Sequence, residues 1–415
     1  MTIMDTPPGP CPDPRALRLL ISSGPSEKAV QRLLPDLNVT RVMVERVHFP
    51  RAKPVQVQIR AFGNQGQSQT VIGEWVGDAA DDLVSAEAIC LAKRRRGQKT
   101  AAGTVAIVAD AARGLVLRRP GFDTRLPGLR LLHDPAWAFV RLGDLGLDPK
   151  AKVELVAHRL GKRAVLRITG ADGTRYARLR PVTSSSGQAA YDRHMVLWNV
   201  LQGVAELTIP RPMGFAADLG VAIFEALPGT PPVFRGLPGF RATHAVLRAI
   251  AALQSAPVDA PPHGAADELA ILQQWEERRA EMFPELSSRL GPALSRLRRD
   301  MAALAPMPPV PCHRDLHEGQ LLLDHRRVGL LDFDTLRMAD PALDIGNLQA
   351  HLVLASLQDG MARGAFVTAM ANAVPHLSLQ RIGLWRRAAL LRLAMIHAFS
   401  ATRQDVLHGL INEAG

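Results

Sequence analysis

Thirteen residues of this chain, Cys-His-Arg-Asp-Leu-His-Glu-Gly-Gln-Leu-Leu-Leu-Asp at positions 312–324, hold two histidines, an arginine, two aspartates and a glutamate. A proline-rich run (Pro306, Pro308, Pro309, Pro311) precedes them, and Val328 to Asp334, ending Asp-Phe-Asp, follows. The pattern reads as a loop bearing Asp315 and Gln320, a strand, a tight turn, and a second strand that delivers Asp332. An aspartate five residues before an amide, followed by a hairpin with another aspartate, suits phosphoryl transfer from a nucleotide. One carboxylate would hold the acceptor hydroxyl and take its proton, while an amide oxygen and a second carboxylate would hold Mg²⁺ against the phosphates. Positioning and charge neutralisation dominate such a reaction. Metal-dependent hydrolysis is the competing chemistry. His313, Asp315 and His317 alternate, and on a strand they would converge on one ion, which leaves the Asp-Phe-Asp without a role.

The elements needed to position these groups are legible along the chain. Its 415 residues predict two or three domains, and 47% hydrophobic with 21% charged residues is ordinary for a protein with real cores. Three distant cysteines, Cys11, Cys90 and Cys312, argue against a disulfide framework and for a reducing, cytoplasmic setting. No signal peptide or membrane-spanning run is read. The net charge is +11, but the one dense run, Lys93–Lys99, ends a helix where cations are favourable. Aromatics, at 5%, do not interleave with the basic residues, so nucleic acid is not expected as a partner.

Period-two alternation from Val39 predicts strands, with one helix at 81–96, so that 31–125 reads as a small α+β unit behind a loose tail at 1–30. Residues 126–149 read as a connector with a short helix. From Lys152 the order is three strands, a helix and two strands, with Ala171-Asp172-Gly173 as a hairpin turn. After Pro231 nearly everything reads as helix.

With the motifs set out, the chain resembles the aminoglycoside phosphotransferase and choline kinase family, relatives of the protein kinases. Its usual catalytic string is H-G-D-x-x-x-x-N, followed by a strand ending I-D-F/W-D. The resemblance implies an α+β, bilobal protein-kinase-like fold. Residues 150–230 would form a β-rich small lobe, 231–415 a helical large lobe with the catalytic loop, and 31–125 an added cap unit. It further implies Asp315 as catalytic base, Asp332 as principal metal ligand with Asp334 beside it, and Asp344 of "MADPALDIGNL" as a brace for the catalytic loop. "IFEALPGT" resembles the family's adenine-binding hinge and points to Glu225 and Leu227.

Three positions depart from the family pattern. Gln320 stands where asparagine is usual and offers the same amide oxygen as a metal ligand; a subset with "HRDxxxxQ" and "DFD" is similar throughout. Arg178 stands at the phosphate-binding lysine position, with Arg180 as second choice, and no glycine-rich loop is visible. His194, with Asp192 nearby, replaces the glutamate that usually pairs with the lysine. The implied activity is ATP- and Mg²⁺-dependent transfer of a phosphoryl group to a small-molecule hydroxyl; the alternative is a nucleotide-binding pseudokinase. From Ile345 onward the acids are only Asp359, Asp405 and Glu413, against six arginines. That favours a sugar or other neutral or anionic acceptor over a polycationic aminoglycoside.

Overall fold

The computed structural model describes residues 14–48, 54–94, 105–182, 186–398 and 404–415. The basic run at Lys93–Lys99 falls largely outside them. The chain parts into two compact units. One runs to Tyr191 and takes in Met213–Glu225; the other holds Asp192–Pro212, Ala226–Ala398 and the C-terminal helix.

The first unit opens with helices α1 (Pro14–Ser23) and α2 (Glu27–Leu33). The expected loose tail is corrected here, because Leu17, Leu20 and Ile21 recur at helical spacing and are buried. Ser26 then caps α2, its hydroxyl accepting the Ala29 N–H at 3.1 Å. Strands β1 (Val39–His48), β2 (Gln56–Gly63) and β3 (Ser68–Trp75) precede helix α3 (Ala80–Arg94), and β4 (Ile107–Asp110) and β5 (Leu115–Arg118) follow it. They form one antiparallel sheet in the order β1-β2-β3-β5-β4. The alternation in β2 is real: Val57, Ile59 and Ala61 are buried while Gln56, Gln58 and Arg60 lie on the other face.

Helices α4 (Arg130–His133) and α5 (Pro135–Asp144) lead to β6 (Lys152–Arg159), β7 (Arg163–Gly170) and β8 (Gly173–Leu179). Helix α6 (Ser186–Leu201), a short β9 (Leu207–Thr208), β10 (Pro212–Ala216) and β11 (Val221–Glu225) come next. The second sheet runs β10-β11-β8-β7-β6 and is also antiparallel where its registers are defined. Gly173, at φ +108°, closes the β7–β8 turn that the sequence predicts. One face of this sheet, with Leu166, Ile168, Leu179 and Ile223, packs against Leu131, Ala138 and Leu142 of the connector helices. The chain does not part near 125 or 150. Buried Asp123 accepts from the Gly161 N–H and His158, Arg125 pairs with both Asp123 and Glu74, and Gln56 donates to the Leu160 carbonyl. N-terminal sheet, connector and second sheet are therefore one unit.

The second unit is helical, as the texture after Pro231 predicts. It comprises α7 (Gly236–Gln254), β12 (Pro262–His263), α8 (Ala265–Met282), α9 (Ser287–Ala302) and β13 (Val310–Cys312). The hairpin β14 (Leu321–Asp324) and β15 (Arg327–Leu330), then β16 (Arg337–Ala339), precede α10 (Leu343–Asp359), α11 (Gly364–Asn372), α12 (Leu379–His397) and α13 (Gln404–Ala414). Helix α12 is the central element, with Ile382, Leu384, Leu390, Leu391 and Met395 all buried. It crosses α10 so closely that a Cβ on Gly346 would lie 2.6 Å from the Arg386 backbone nitrogen, which explains a glycine inside a buried helix. No helix among the described residues is long and apolar enough to cross a membrane.

Candidate active site

The segment from Cys312 to Asp334 is held from below by buried partners. Asp344, in the first turn of α10, is fully buried and accepts the backbone N–H groups of His313 and Arg314, each at 2.7 Å. Burial pushes its carboxyl up, against the pull of His313 and of those two donors. His313 is itself buried; its Nε2 lies 2.7 Å from the Leu331 carbonyl, and its own carbonyl accepts the Thr335 hydroxyl at 2.8 Å. Asn347 donates to the Leu316 carbonyl at 2.8 Å and accepts from Arg392. Between these anchors Asp315 is exposed. A rigid loop that presents one carboxylate to solvent is what a positioned general base requires.

The hairpin brings the two metal-ligand candidates to its base. The β14–β15 register starts at Leu321 opposite Leu330, and the Leu331 N–H donates to the Gln320 carbonyl at 3.0 Å. Gln320 ends one strand's approach and Asp332 leaves the other. Asp332 has φ +62° and ψ +65°, a left-handed turn that begins the short helix Phe333–Thr335. A carboxylate and an amide oxygen are hard donors of the kind Mg²⁺ takes. Leu227 belongs to the same neighbourhood, since its Cδ1 lies against Gly329. The segment after it is pinned to the hairpin by the paired bonds of Thr230 and Leu323, at 3.1 and 2.7 Å.

Arg314 and its surroundings were not picked out from the sequence. Its φ is +68°, a conformation that suits the glycine of the family string. Its Nε lies 3.2 Å from His263 Nε2, and its Nη2 3.7 Å from Glu268. Glu268, on α8 and 2% exposed, also pairs with Arg392 at 2.6 Å. Burial alone would raise its carboxyl, but Arg392, His263 and Arg314 together hold it down to about 2. No sequence signal could join residues 263, 268, 314 and 392; only the packing of α8 and α12 against the loop does so.

The alternating histidines do not make the hydrolytic metal site. His313 is turned to the Leu331 carbonyl, and His317 Nδ1 accepts the Gly319 N–H at 3.1 Å. His317, Glu318 and His351 do bring ligand-type atoms within 4.8 Å of one another. The Gly319 bond places the His317 proton on Nε2, which disfavours a metal there. Cys312 is no nucleophile: burial, with Asp344 and Asp340 nearby, pushes its thiol far up.

Arg178 and Glu225 lie on the first unit. Arg178 is on β8, paired in register with Val165 and Ala222, and with Arg180, Tyr191, Phe215 and Phe224 it lines a recess between the second sheet and α6. Glu225 ends β11, exposed and opposite Arg175. His194, of the second unit, is buried with Nε2 2.7 Å from the Pro210 carbonyl, so it is a packed helix residue.

The sequence profile of the phosphotransferase enzyme family matches residues 152–376, more than half of the chain. The chain belongs to that family. A thermostable mutant of the aminoglycoside phosphotransferase APH(4)-Ia has a similar fold, with a TM-score of 0.50 and 14% identity over 67% of this chain and 96% of that one. A choline/ethanolamine kinase family protein from Mesorhizobium loti aligns at a TM-score of 0.43 with 17% identity, over 59% and 78% of the two chains. APH(3'')-Id from Streptomyces rimosus aligns at 0.43 with 22% identity, over 62% and 97%. No curated protein sequence matches. The family's α+β, kinase-like fold is the fold of this chain, and the family is one of phosphotransferases.

Proposed function

We propose that this protein transfers the γ-phosphoryl group of ATP to a hydroxyl of a small molecule, with Asp315 as base. The observation that carries this is the exposed Asp315 on a loop whose backbone Asp344 grips twice, beside a hairpin whose base bears both Gln320 and Asp332. Bound Mg²⁺-ATP would supply the transferable group and neutralise its charge. Asp315 would orient the acceptor hydroxyl and accept its proton; Gln320 and Asp332 would hold the metal; Arg178 would contribute a cation for the phosphates. Glu225 and Leu227 are proposed at the adenine. The acceptor is a sugar or another neutral or anionic metabolite. The scarcity of acids past Ile345 supports this, and one of them, Asp359, is engaged by Arg363 at 2.6 Å. The setting is proposed as cytoplasmic.

A nucleotide-binding pseudokinase is the second reading. One observation favours it: His194, read at the position of the usual acidic partner, is committed to the Pro210 carbonyl. ATP turnover across a panel of sugars, amino alcohols and aminoglycosides, with Mg²⁺ and Mn²⁺, separates the two readings. Turnover with any acceptor carries the first, and nucleotide binding without turnover carries the second.

A further inference from the structure

Helix α10 meets the loop around Asp315 with polar residues at successive turns. Asp344 accepts the His313 and Arg314 N–H groups, and Asn347 donates to the Leu316 carbonyl. His351, four residues further on, stacks its ring on that of His317 with centroids 5.0 Å apart. The spacing i, i+3, i+7 puts all three on one face of the helix. Asp344 and Asn347 grip backbone, but His351 completes a cluster of side chains. Ligand-type atoms of His317, Glu318 and His351 lie within 4.8 Å of one another.

The three side chains differ in what they can still bond. His317 caps the turn that leads to Gln320: its Nδ1 accepts the Gly319 N–H, and a Cβ on Gly319 would lie 2.9 Å from its Cε1. The ring is therefore fixed, with its proton on Nε2 as a donor. Burial, followed by His317, Arg392 and His397, pulls the His351 imidazole down to about 3. It is neutral at physiological pH and offers one N–H and one lone pair. Glu318 Oε2 is buried with no hydrogen-bond partner among the described residues. Such an acceptor costs stability that an incoming donor restores. Arg363 senses the Glu318 charge, but its guanidinium bonds Asp359 at 2.6 and 2.8 Å. Arg392 is likewise bonded to Glu268 and Asn347. The cluster thus offers mixed donors and acceptors rather than a field of one sign. A hydroxyl, which donates and accepts at once, matches that set better than an ammonium, which only donates, or a phosphate dianion, which only accepts.

We propose that His317, Glu318 and His351 form a subsite that recognises the acceptor, and that it takes a neutral polyhydroxyl compound by two neighbouring hydroxyls. One hydroxyl donates to Glu318 Oε2, while the His317 Nε2–H and the His351 imidazole bond the oxygens of the pair. His317 and Glu318 follow Asp315 on the same short segment, so a compound held there can bring a further hydroxyl to the base. The fate of that hydroxyl rests on the phosphoryl-transfer reading above; the binding does not.

The test uses the full chain and a panel of neutral hexoses, pentoses and cyclitols beside their amino and phosphorylated counterparts. Binding is followed by ligand-observed NMR without nucleotide, and transfer by ATP-dependent product formation. Wild type binds and phosphorylates a neutral polyol best. Glu318→Leu and His351→Phe, the latter keeping a ring against His317, each weaken its binding by at least about tenfold and raise its KM by more than they lower kcat. A deoxy analogue lacking one hydroxyl of the bound pair loses affinity for wild type, and Glu318→Leu no longer distinguishes it from the parent compound. Glu318→Leu melts no lower than wild type, because it breaks no hydrogen bond at Oε2. His317 is left intact, since it also caps the turn. Polyol binding that responds to both variants, with no phosphoryl transfer, leaves the subsite standing and removes the reaction. Transfer to an acceptor whose KM is unchanged in both variants, preference for an amine or a phosphorylated compound, absence of binding across the panel, or Zn²⁺ binding by wild type that both variants abolish overturns the proposal.

Discussion

The Asp344 carboxylate accepts the Arg314 backbone N–H at 2.7 Å and so holds the residue before Asp315 in a left-handed conformation, φ +68°. With the matching bond to His313, α10 sets the height and direction of the loop that bears Asp315. Asp344→Asn puts an amide NH₂ where one of two buried N–H donors needs an acceptor. We expect it to cost about 2–3 kcal/mol of stability and to lower kcat by roughly a hundredfold through misplacement of Asp315. Urea unfolding and steady-state kinetics on the same preparation check both, and an unchanged kcat would show that the brace is not needed.

Arg314 can be separated into its backbone and its side chain. Arg314→Ala and Arg314→Gly both remove the guanidinium from Glu268 and His263, but only glycine relaxes at positive φ. The glycine variant should be the more stable of the two by up to about 1 kcal/mol. Equal stabilities would mean that the left-handed backbone at this position carries no strain.

Glu268 makes stability depend on pH. Its carboxyl lies at about 2 in the folded chain against 4.5 ordinarily. Its contribution is therefore complete above pH 4.5 and is lost as pH falls toward 2. The difference corresponds to about 3 kcal/mol at neutral pH. Glu268→Gln should be destabilised by about that amount at pH 7, with the gap to wild type narrowing below pH 4.5. A gap that stays constant across that range would contradict the ion-pair account.

Much of this architecture is legible in the sequence because local patterns carry it. The alternation in β2, the hairpin at Ala171–Gly173 and the strand-turn-strand after Gln320 all form as their residues predict. What the sequence does not disclose depends on distant packing. The helix α1 hides in a proline-rich start, and its Leu17, Leu20 and Ile21 become meaningful only with a sheet to cover. The Glu268–Arg392–Arg314 group draws on positions up to 124 residues apart. The histidine that replaces the usual glutamate reads as a lost partner, whereas its Nε2 has a structural bond to Pro210.

Arg178 tests the nucleotide side of the account. Arg178→Lys introduces the residue that the family resemblance implies at this position and should keep activity within about tenfold of wild type, while Arg178→Ala should lower kcat/KM roughly a hundredfold or more. Both are read from initial rates at varied ATP. Equal rates for the alanine variant and wild type would assign the phosphate contact to another cation.

The central claim is that Asp315 is the base of a working phosphotransferase, and one comparison tests it most directly. Phosphoryl transfer from ATP, measured with the best acceptor of the panel, should be readily detected in wild type and fall by at least about a thousandfold in Asp315→Asn, with ATP affinity little changed. Turnover that survives Asp315→Asn intact, or nucleotide binding in both proteins with no transfer to any acceptor, would contradict it.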